Sequence, residues 1–447
     1  MPPATLRTRL QRLRLKKVKR KLPPSVTAEA LAERAELRKV NQRESEARGE
    51  LPGREVVTPL GAFQLIENRY ALDFAHGPLP LADLLTRQPA TAALLARDES
   101  LAQADLRSLA FLDTETTGLA GGTGTLVFLV GIGAFADDGF VLRQYFLRDP
   151  GEEQAMLTTL VSDLAPRAGW VTFNGRAFDL PLLEGRLVMN RMRGGLGQRP
   201  HLDLLMPARR LYRGRLESCS LGHIERQVFN IIREQDDVPG ELIPQLYLDY
   251  LRTGDARQMR RVIYHNAVDV LSMVTLAAHL LDVFSTPVSK STVHSPQSQV
   301  KPVSNDTRLG TVDLGPQDFL RLAKWHHDNA RLAQAEAAYR QALTGKLSLE
   351  DRREGLTRLA ALLKHLDRRA EAAPLWEQLA SFTLDAPEPF VELAKYCEWH
   401  AFDVGRATEW TQRAQKIVAT WPRGWRREAA VQALKHRLER LRGKLKW

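Results

Sequence analysis

The fold class predicted by this 447-residue sequence is an α/β domain, with a mixed sheet flanked by helices, followed by an all-α module of helical repeats. Three observations predict it. Short apolar, strand-like runs alternate with helical stretches between residues 105 and 285. A Ser/Thr/Pro/Lys-rich stretch without apolar periodicity follows at 286–312 and reads as a linker. Beyond it, residue pairs recur at a spacing near 34, the mark of stacked helix pairs.

Residues 1–50 read as a basic, flexible tail. Leu6, Leu10, Leu13 and Val18 would stripe a helix were one to form, and Pro23-Pro24 would end it. Residues 51–104 read as a small lead-in packed on the next domain: two short strands around a Pro/Gly turn within 56–66, then an Ala/Leu-rich helical stretch over 81–104. In the domain at 105–285, strands are predicted over 109–112, 125–133, 140–146 and 170–173. Helices are predicted over 152–164 and 181–192, with several more from 216 to 284.

From residue 313 the chain repeats itself. Leu322-Ala323, Leu359-Ala360 and Leu393-Ala394 recur at spacings of 37 and 34. Twelve residues beyond the first two alanines stand Ala335 and Ala372; sixteen beyond all three stand Tyr339, Trp376 and Trp410. Small residues alternating with large ones at fixed offsets let paired helices pack closely. The pattern resembles the tetratricopeptide repeat family, in three imperfect copies over 316–420. The third copy departs, with Arg406 in the alanine slot and Ala407 one place later. A helix over 425–446 reads as a basic cap, and the whole 313–447 module as a candidate surface for a protein partner.

Composition narrows the class. Hydrophobic residues make up 44% and charged residues 26%, ordinary for a globular protein. Cys219 and Cys397 are the only cysteines, which excludes a disulfide framework or a zinc spacing and predicts a reducing, cytoplasmic setting. No uninterrupted apolar run approaches about 18 residues, so no membrane contact is expected. The basic start lacks the apolar core of a secretory signal. Of the net charge of +11, residues 1–21 carry +9 and residues 422–447 carry +7, leaving −5 for the rest. Such ends suit a polyanion, since each neutralised phosphate releases counterions; they would also serve as plain solvated tails.

The segment richest in chemistry is Phe111-Leu112-Asp113-Thr114-Glu115-Thr116-Thr117-Gly118-Leu119. Its apolar lead-in puts Asp113 at a strand end. Residues i and i+2 of a strand share a face, so Asp113 and Glu115 project together. Adjacent carboxylates repel unless they share a cation, and hard oxygen donors suit Mg²⁺ or Mn²⁺. A bare Asp-x-Glu would read as surface residues at a strand end, but the nine-residue string is more specific. It closely resembles the first motif of the DEDD 3′→5′ exonucleases, a family with a ribonuclease-H-like fold in which four acids hold two metal ions. The resemblance implies two further aspartates, in order.

Asp179 is the first, in Asn174-Gly175-Arg176-Ala177-Phe178-Asp179, where an apolar strand ends in a tight turn and a helix opens. A helix cap is the plainer role for it. Asp269 is the second, in Tyr264-His265-Asn266-Ala267-Val268-Asp269, with His265 four residues earlier on the same helical face. The family places either Tyr four residues or His five residues before this aspartate. This chain has His at four and Tyr at five, so His265 is preferred for activating water, with Tyr264 as fallback.

Gly121-Gly122-Thr123-Gly124 suggests a phosphate loop, but no Lys-Ser/Thr follows and a Walker-type reading fails. His201-Leu202-Asp203 and Leu216-Glu217-Ser218-Cys219-Ser220-Leu221 narrow the likeness to the YprB-like ribonuclease-H-like proteins, over about 50–285. Asp203 is either an extra acid near the site or a helix cap.

The resemblance implies a 3′→5′ exonuclease that hydrolyses the ends of single-stranded DNA or RNA. Asp113, Glu115, Asp179 and Asp269 would hold two Mg²⁺ or Mn²⁺ ions, with His265 beside them and Thr116, Leu119 and Asn174 meeting substrate. The alternative is a nuclease-fold protein that is weakly active or inactive and acts as a nucleic-acid-binding or interaction scaffold.

Overall fold

Leu109 and Phe111 point into one hydrophobic cluster, and Ala110 and Leu112 into another. This alternation of a single strand divides the α/β half into two cores with a sheet between them. The structure is a computed structural model that describes residues 50–118, 124–233, 237–285, 314–383 and 385–444. The expectations for the tail before residue 50, for the 286–312 linker, for the 121–123 glycine loop and for Leu119 lie outside the described residues.

The strands are β1 (Arg54–Thr58), β2 (Gly61–Tyr70), β3 (Ala75–His76), β4 (Leu79–Pro80), β5 (Leu109–Thr116), β6 (Val127–Phe135), β7 (Phe140–Phe146), β8 (Gly169–Thr172) and β9 (His201–Asp203). Seven of them form one sheet in the order β1-β2-β7-β6-β5-β8-β9, and β3 and β4 pair separately. From β1 to β5 neighbours are antiparallel, while β5, β8 and β9 run parallel, so the sheet is mixed, as predicted. The lead-in does not merely pack on this sheet: β1 and β2 extend it.

The helices of this half are α1 (Pro89–Ala96), α2 (Glu153–Leu164), α3 (Asp179–Met189), α4 (Leu205–Tyr212), α5 (Leu221–Val228), α6 (Ile243–Thr253) and α7 (Arg257–Ser285). The predicted helical stretch over 81–104 is broken into a 3-10 turn, α1 and a second 3-10 turn, because Pro89 restarts the helix and Arg97 ends it in a left-handed conformation. α7 is the spine. Its Met259, Val262 and Ile263 belong to one cluster, and Ala267 with most apolar residues from Val270 onward to the other, so the stretch between, which includes Asn266, crosses from core to core.

By length and composition α7 is long and apolar enough to cross a membrane. Asp269, His279 and Asp282 interrupt its apolar run, which is why the sequence shows none of that length. Most of the helix is buried against the sheet and its neighbours, as a core helix is.

Among the described residues seven helices follow: α8 (Pro316–Asp328), α9 (Leu332–Thr344), α10 (Leu349–His365), α11 (Arg369–Phe382), α12 (Glu388–Trp399), α13 (Val404–Ala419) and α14 (Trp425–Lys444). The repeat positions fall at their contacts. Ala323, Ala335, Ala360, Ala372, Ala394 and Ala407 are all fully buried, whereas Arg406 is exposed. The displaced alanine of the third pair therefore does the packing. The two halves share one continuous core, with the Phe284 and Trp325 rings edge to face at 4.7 Å. Beside it the fully buried Asp318 pairs with Arg215 at 3.0 Å.

Candidate functional site

Asp113 and Glu115 leave β5 on one face, and the register with β6 slips at the next step, between Glu115 and Thr116. Asp113 is gripped from α7, where Asn266 Nδ2 donates to its Oδ2 at 2.8 Å. Asn266 is fully buried and is itself fixed. Gln144 Nε2 donates to its Oδ1 at 2.8 Å and to the carbonyl of Ile263 at 2.7 Å. Room for this amide comes from Gly131, the partner of Asp113 on β6: a Cβ there would stand 2.3 Å from Asn266 Oδ1.

Asp179 arrives from the other side of the strand. It opens α3, after a turn in which Asn174 holds φ at 70°. Thr114 points away from Asp113 and Glu115 by alternation, and its hydroxyl donates to Asp179 Oδ1 at 2.5 Å. Alternate residues of β5 thus carry two acids and position a third. Asp203 anchors the turn, accepting from the N–H groups of Asn174 at 2.9 Å and Arg176 at 3.1 Å, and from Leu205 N at 3.0 Å at the start of α4. It therefore plays the cap-like role, and, after burial, its charge also raises the pKa of Asp179.

Asp269 lies on α7 and accepts from Arg233. One turn earlier, His265 Nε2 stands 3.5 Å from Asp269 Oδ2 and 4.0 Å from Glu115 Oε1. Its Nδ1 faces Asp237 Oδ1 at 2.7 Å. Arg233 Nη1 lies 3.2 Å from the same Nδ1; a carboxylate can only accept, so the shorter contact with Asp237 favours a proton on Nδ1. Arg233 is in turn clamped by the fully buried Glu225, at 2.6 Å and 2.7 Å.

Electrostatics follow from this enclosure. Burial pushes the Asp113 carboxyl well above the usual carboxylate range, and the charges of Asp269, Glu115 and Asp179 push it further. Glu115 is raised likewise, by burial first and then by Asp269 and Asp179. Burial lifts Asp179 to about 6 against the hydrogen bond from Thr114. Asp269 is raised by burial despite Arg233 and His265.

Four carboxylates that repel one another, Asp179 buried and the other three half-buried, form a hard-oxygen donor set suited to a divalent cation. Among the described residues, no three His, Cys, Asp or Glu side chains close round a single point as an ion would require. One oxygen each of Asp113, Asp179 and Asp269 is engaged, by Asn266, Thr114 and Arg233 respectively.

The remaining expected residues are placed as follows. The Thr116 hydroxyl is buried and donates to the Gly118 carbonyl at 2.8 Å, which closes the turn after β5. Asn174 is exposed, with its backbone N–H on Asp203. The contacts that tie the third motif to the acids come from His265, Asn266 and Asp269. Asn266, Gln144, Gly131, Thr114, Arg233, Glu225 and Asp237 were not foreseen as site residues, and local sequence offers no signal for their convergence.

Comparison with known proteins agrees with this geometry. A family model described as the RNase H superfamily matches residues 110–281, which contain all four acids. The uncharacterized protein YprB of Bacillus subtilis is 30% identical over 315 residues, covering 70% of this chain and 70% of that protein. With β5, α3 and α7 bringing their acids together inside the matched region, the chain belongs to the RNase H superfamily, in the family that includes YprB.

Proposed function

We propose that this protein is a metal-dependent 3′→5′ exonuclease that hydrolyses phosphodiester bonds at the ends of single-stranded nucleic acid. One observation carries the reading: four mutually repelling carboxylates from three separate motifs are enclosed beside a histidine whose far nitrogen is held by a fifth acid. Asp113, Glu115, Asp179 and Asp269 would hold Mg²⁺ or Mn²⁺, two ions in all, which make bound water acidic and offset charge on the leaving oxygen.

The chain's own groups do the rest. Asp237 keeps the proton on His265 Nδ1, so Nε2 takes the proton of the attacking water. Water oxygen bonds to phosphorus, the bond to the 3′-oxygen breaks, and a nucleoside 5′-monophosphate leaves. Asn266 and Thr114 stop the carboxylates of Asp113 and Asp179 from turning away. Asn174, at the exposed turn beside Asp179, would meet the strand.

The helices after residue 313 are read as a tetratricopeptide-like module, on the strength of their six buried alanines. A cytoplasmic setting is supported by two free thiols, Cys219 and Cys397.

Labelled single strands of DNA and RNA, incubated with Mg²⁺ or Mn²⁺, test the reading. Release of mononucleotides is expected from the parent and a loss of at least about a hundredfold from Asp113→Ala and Asp269→Ala. Release that survives Asp113→Ala would sink the mechanism. The hold of Arg233 on Asp269 favours the second reading, a nuclease fold kept for binding. Tight strand binding without release under any metal would establish it.

A further inference from the structure

The repeat module holds a cavity of about 470 Å³ walled by cations and aromatic rings. α12 contributes Lys395, Tyr396 and Trp399, α10 contributes Lys364, and α14 contributes Arg437 and Arg440.

Two acids organise these cations. Glu398, whose side chain is fully buried, meets Arg437 at 3.0 Å, Arg440 at 2.8 Å and Lys444 at 3.0 Å. Glu392 meets Lys364 and Lys395, both at 2.7 Å. Five cations share two carboxylates, so three positive charges are left over on one face. The two acids fix the cationic heads in place, and donors not used on the acids remain for a ligand. Lys364 and Lys395 keep 39% and 42% of their side chains exposed.

Beside the charges lie flat rings. Trp399 is 52% exposed, with the Lys444 ammonium 3.7 Å from its ring centroid. Tyr396 stacks on His400 at 6.0 Å with the rings 10° from parallel. Surplus cations beside a half-exposed tryptophan, whose ring also carries the Arg440 guanidinium at 5.6 Å, suit a single strand, with phosphates on the cations and a base against the ring. An acidic peptide would satisfy the charge and leave the Trp399 face without a stacking partner. A duplex would keep its bases to itself.

We propose that this cavity binds a single strand of the nucleic acid on which the carboxylate site acts, as a second hold on the same substrate. The substrate class rests on the nuclease reading; the binding itself does not.

The test uses the full chain in EDTA and a fluorescently labelled oligothymidine or oligouridine of about 30 nucleotides, read by anisotropy. Trp399→Ala is expected to weaken binding about tenfold, and Trp399→Tyr, which keeps a flat ring, to restore most of it. Lys395→Ala is expected to lower the slope of log affinity against log salt by about one. Lys346→Ala, on the exposed loop between α9 and α10, is expected to change neither. Melting temperatures check that each variant is folded. With Mn²⁺ present, Trp399→Ala is expected to raise KM with kcat unchanged.

Parent-like affinity in both Trp399→Ala and Lys395→Ala overturns the proposal. So does labelled polyglutamate that binds the parent and loses as much affinity as the strand on Trp399→Ala, since the occupant is then an acidic polypeptide. A parent that binds the strand through these residues and never cleaves it refutes the nuclease reading alone.

Discussion

Asn266 holds the Asp113 carboxylate at 2.8 Å across a gap that exists because residue 131 is a glycine. A Cβ at that point would stand 2.3 Å from Asn266 Oδ1, and the amide has nowhere to retreat because Gln144 fixes it from behind. Gly131→Ala is therefore expected to destabilise the chain by about 1–3 kcal/mol through overpacking. It is also expected to cut cleavage more than the lost stability explains, because Asp113 loses its brace. Urea melts and single-turnover cleavage measure the two effects. A variant that keeps both would show that the brace is dispensable.

The metal-free site should lose stability as pH rises. The folded chain keeps protons on its four clustered acids that the unfolded chain has already lost. For Asp179, with its pKa lifted from the ordinary 3.8 to about 6, that contribution is full below 3.8 and is lost as pH rises through 6. Asp113, Glu115 and Asp269 are raised too and act in the same direction. A divalent cation removes the repulsion. Mn²⁺ is expected to raise Tm more at pH 8 than at pH 5, by roughly 2–4 °C for each kcal/mol of binding. Asp113→Asn should raise the Tm in EDTA and shrink the Mn²⁺ effect. Identical Mn²⁺ shifts at both pH values would contradict the charge argument.

Acid should unfold the chain through a different set of groups. His279 is buried against Tyr212, whose hydroxyl lies 2.5 Å from Nε2. Burial first, then Arg215 and Arg87, bring its pKa down to about 3. His76, 2.8 Å from Ser272, is lowered to about 4, mainly by burial. A depressed histidine pKa means stability that is full above the ordinary 6.5 and is lost as pH falls through the folded value. His279→Gln is expected to flatten the fall between pH 6.5 and 4.5, by up to about 1.4 kcal/mol per pH unit. Unfolding free energies of variant and parent that stay parallel over that range would exclude His279 as the sensitive group.

The pairing of Asp113 with Glu115 was legible because strand alternation is a local rule, and Asp179 and Asp269 because their motifs recur in a fixed order. Their supports were not legible. Gln144 sits in an alternating strand where a polar residue ordinarily faces water, yet α7 covers that face and buries it completely. Asn266 and Asp113 are 153 residues apart, and no local pattern encodes such a meeting. Arg233 stands in a loop without periodicity. The sequence pattern puts the β6 strand two residues early because all nine of its residues are buried, so no alternation marks its ends. The expected start at Pro181 is two residues late for the helix that opens at Asp179, since proline is tolerated in a first turn. The repeat helices were legible because their buried alanines recur at nearly constant spacing, and the third pair shows the limit of that signal, with Ala407 one place off.

Arg233 links fold and chemistry most tightly, since it is held by the buried Glu225 and holds Asp269. Arg233→Met alone leaves Glu225 buried and unpaired and is expected to cost about 3–5 kcal/mol. The double variant Arg233→Met/Glu225→Met removes one charge of each sign, so the net charge near the acids is unchanged and most of that stability should return. It also frees the Asp269 oxygen that Arg233 occupies. Release of one charge-assisted hydrogen bond should then lower the Mn²⁺ midpoint for cleavage or for Tm stabilisation about tenfold. A midpoint equal to the parent's would mean that Arg233 and the ion do not compete for Asp269, and that the guanidinium serves only to neutralise Glu225.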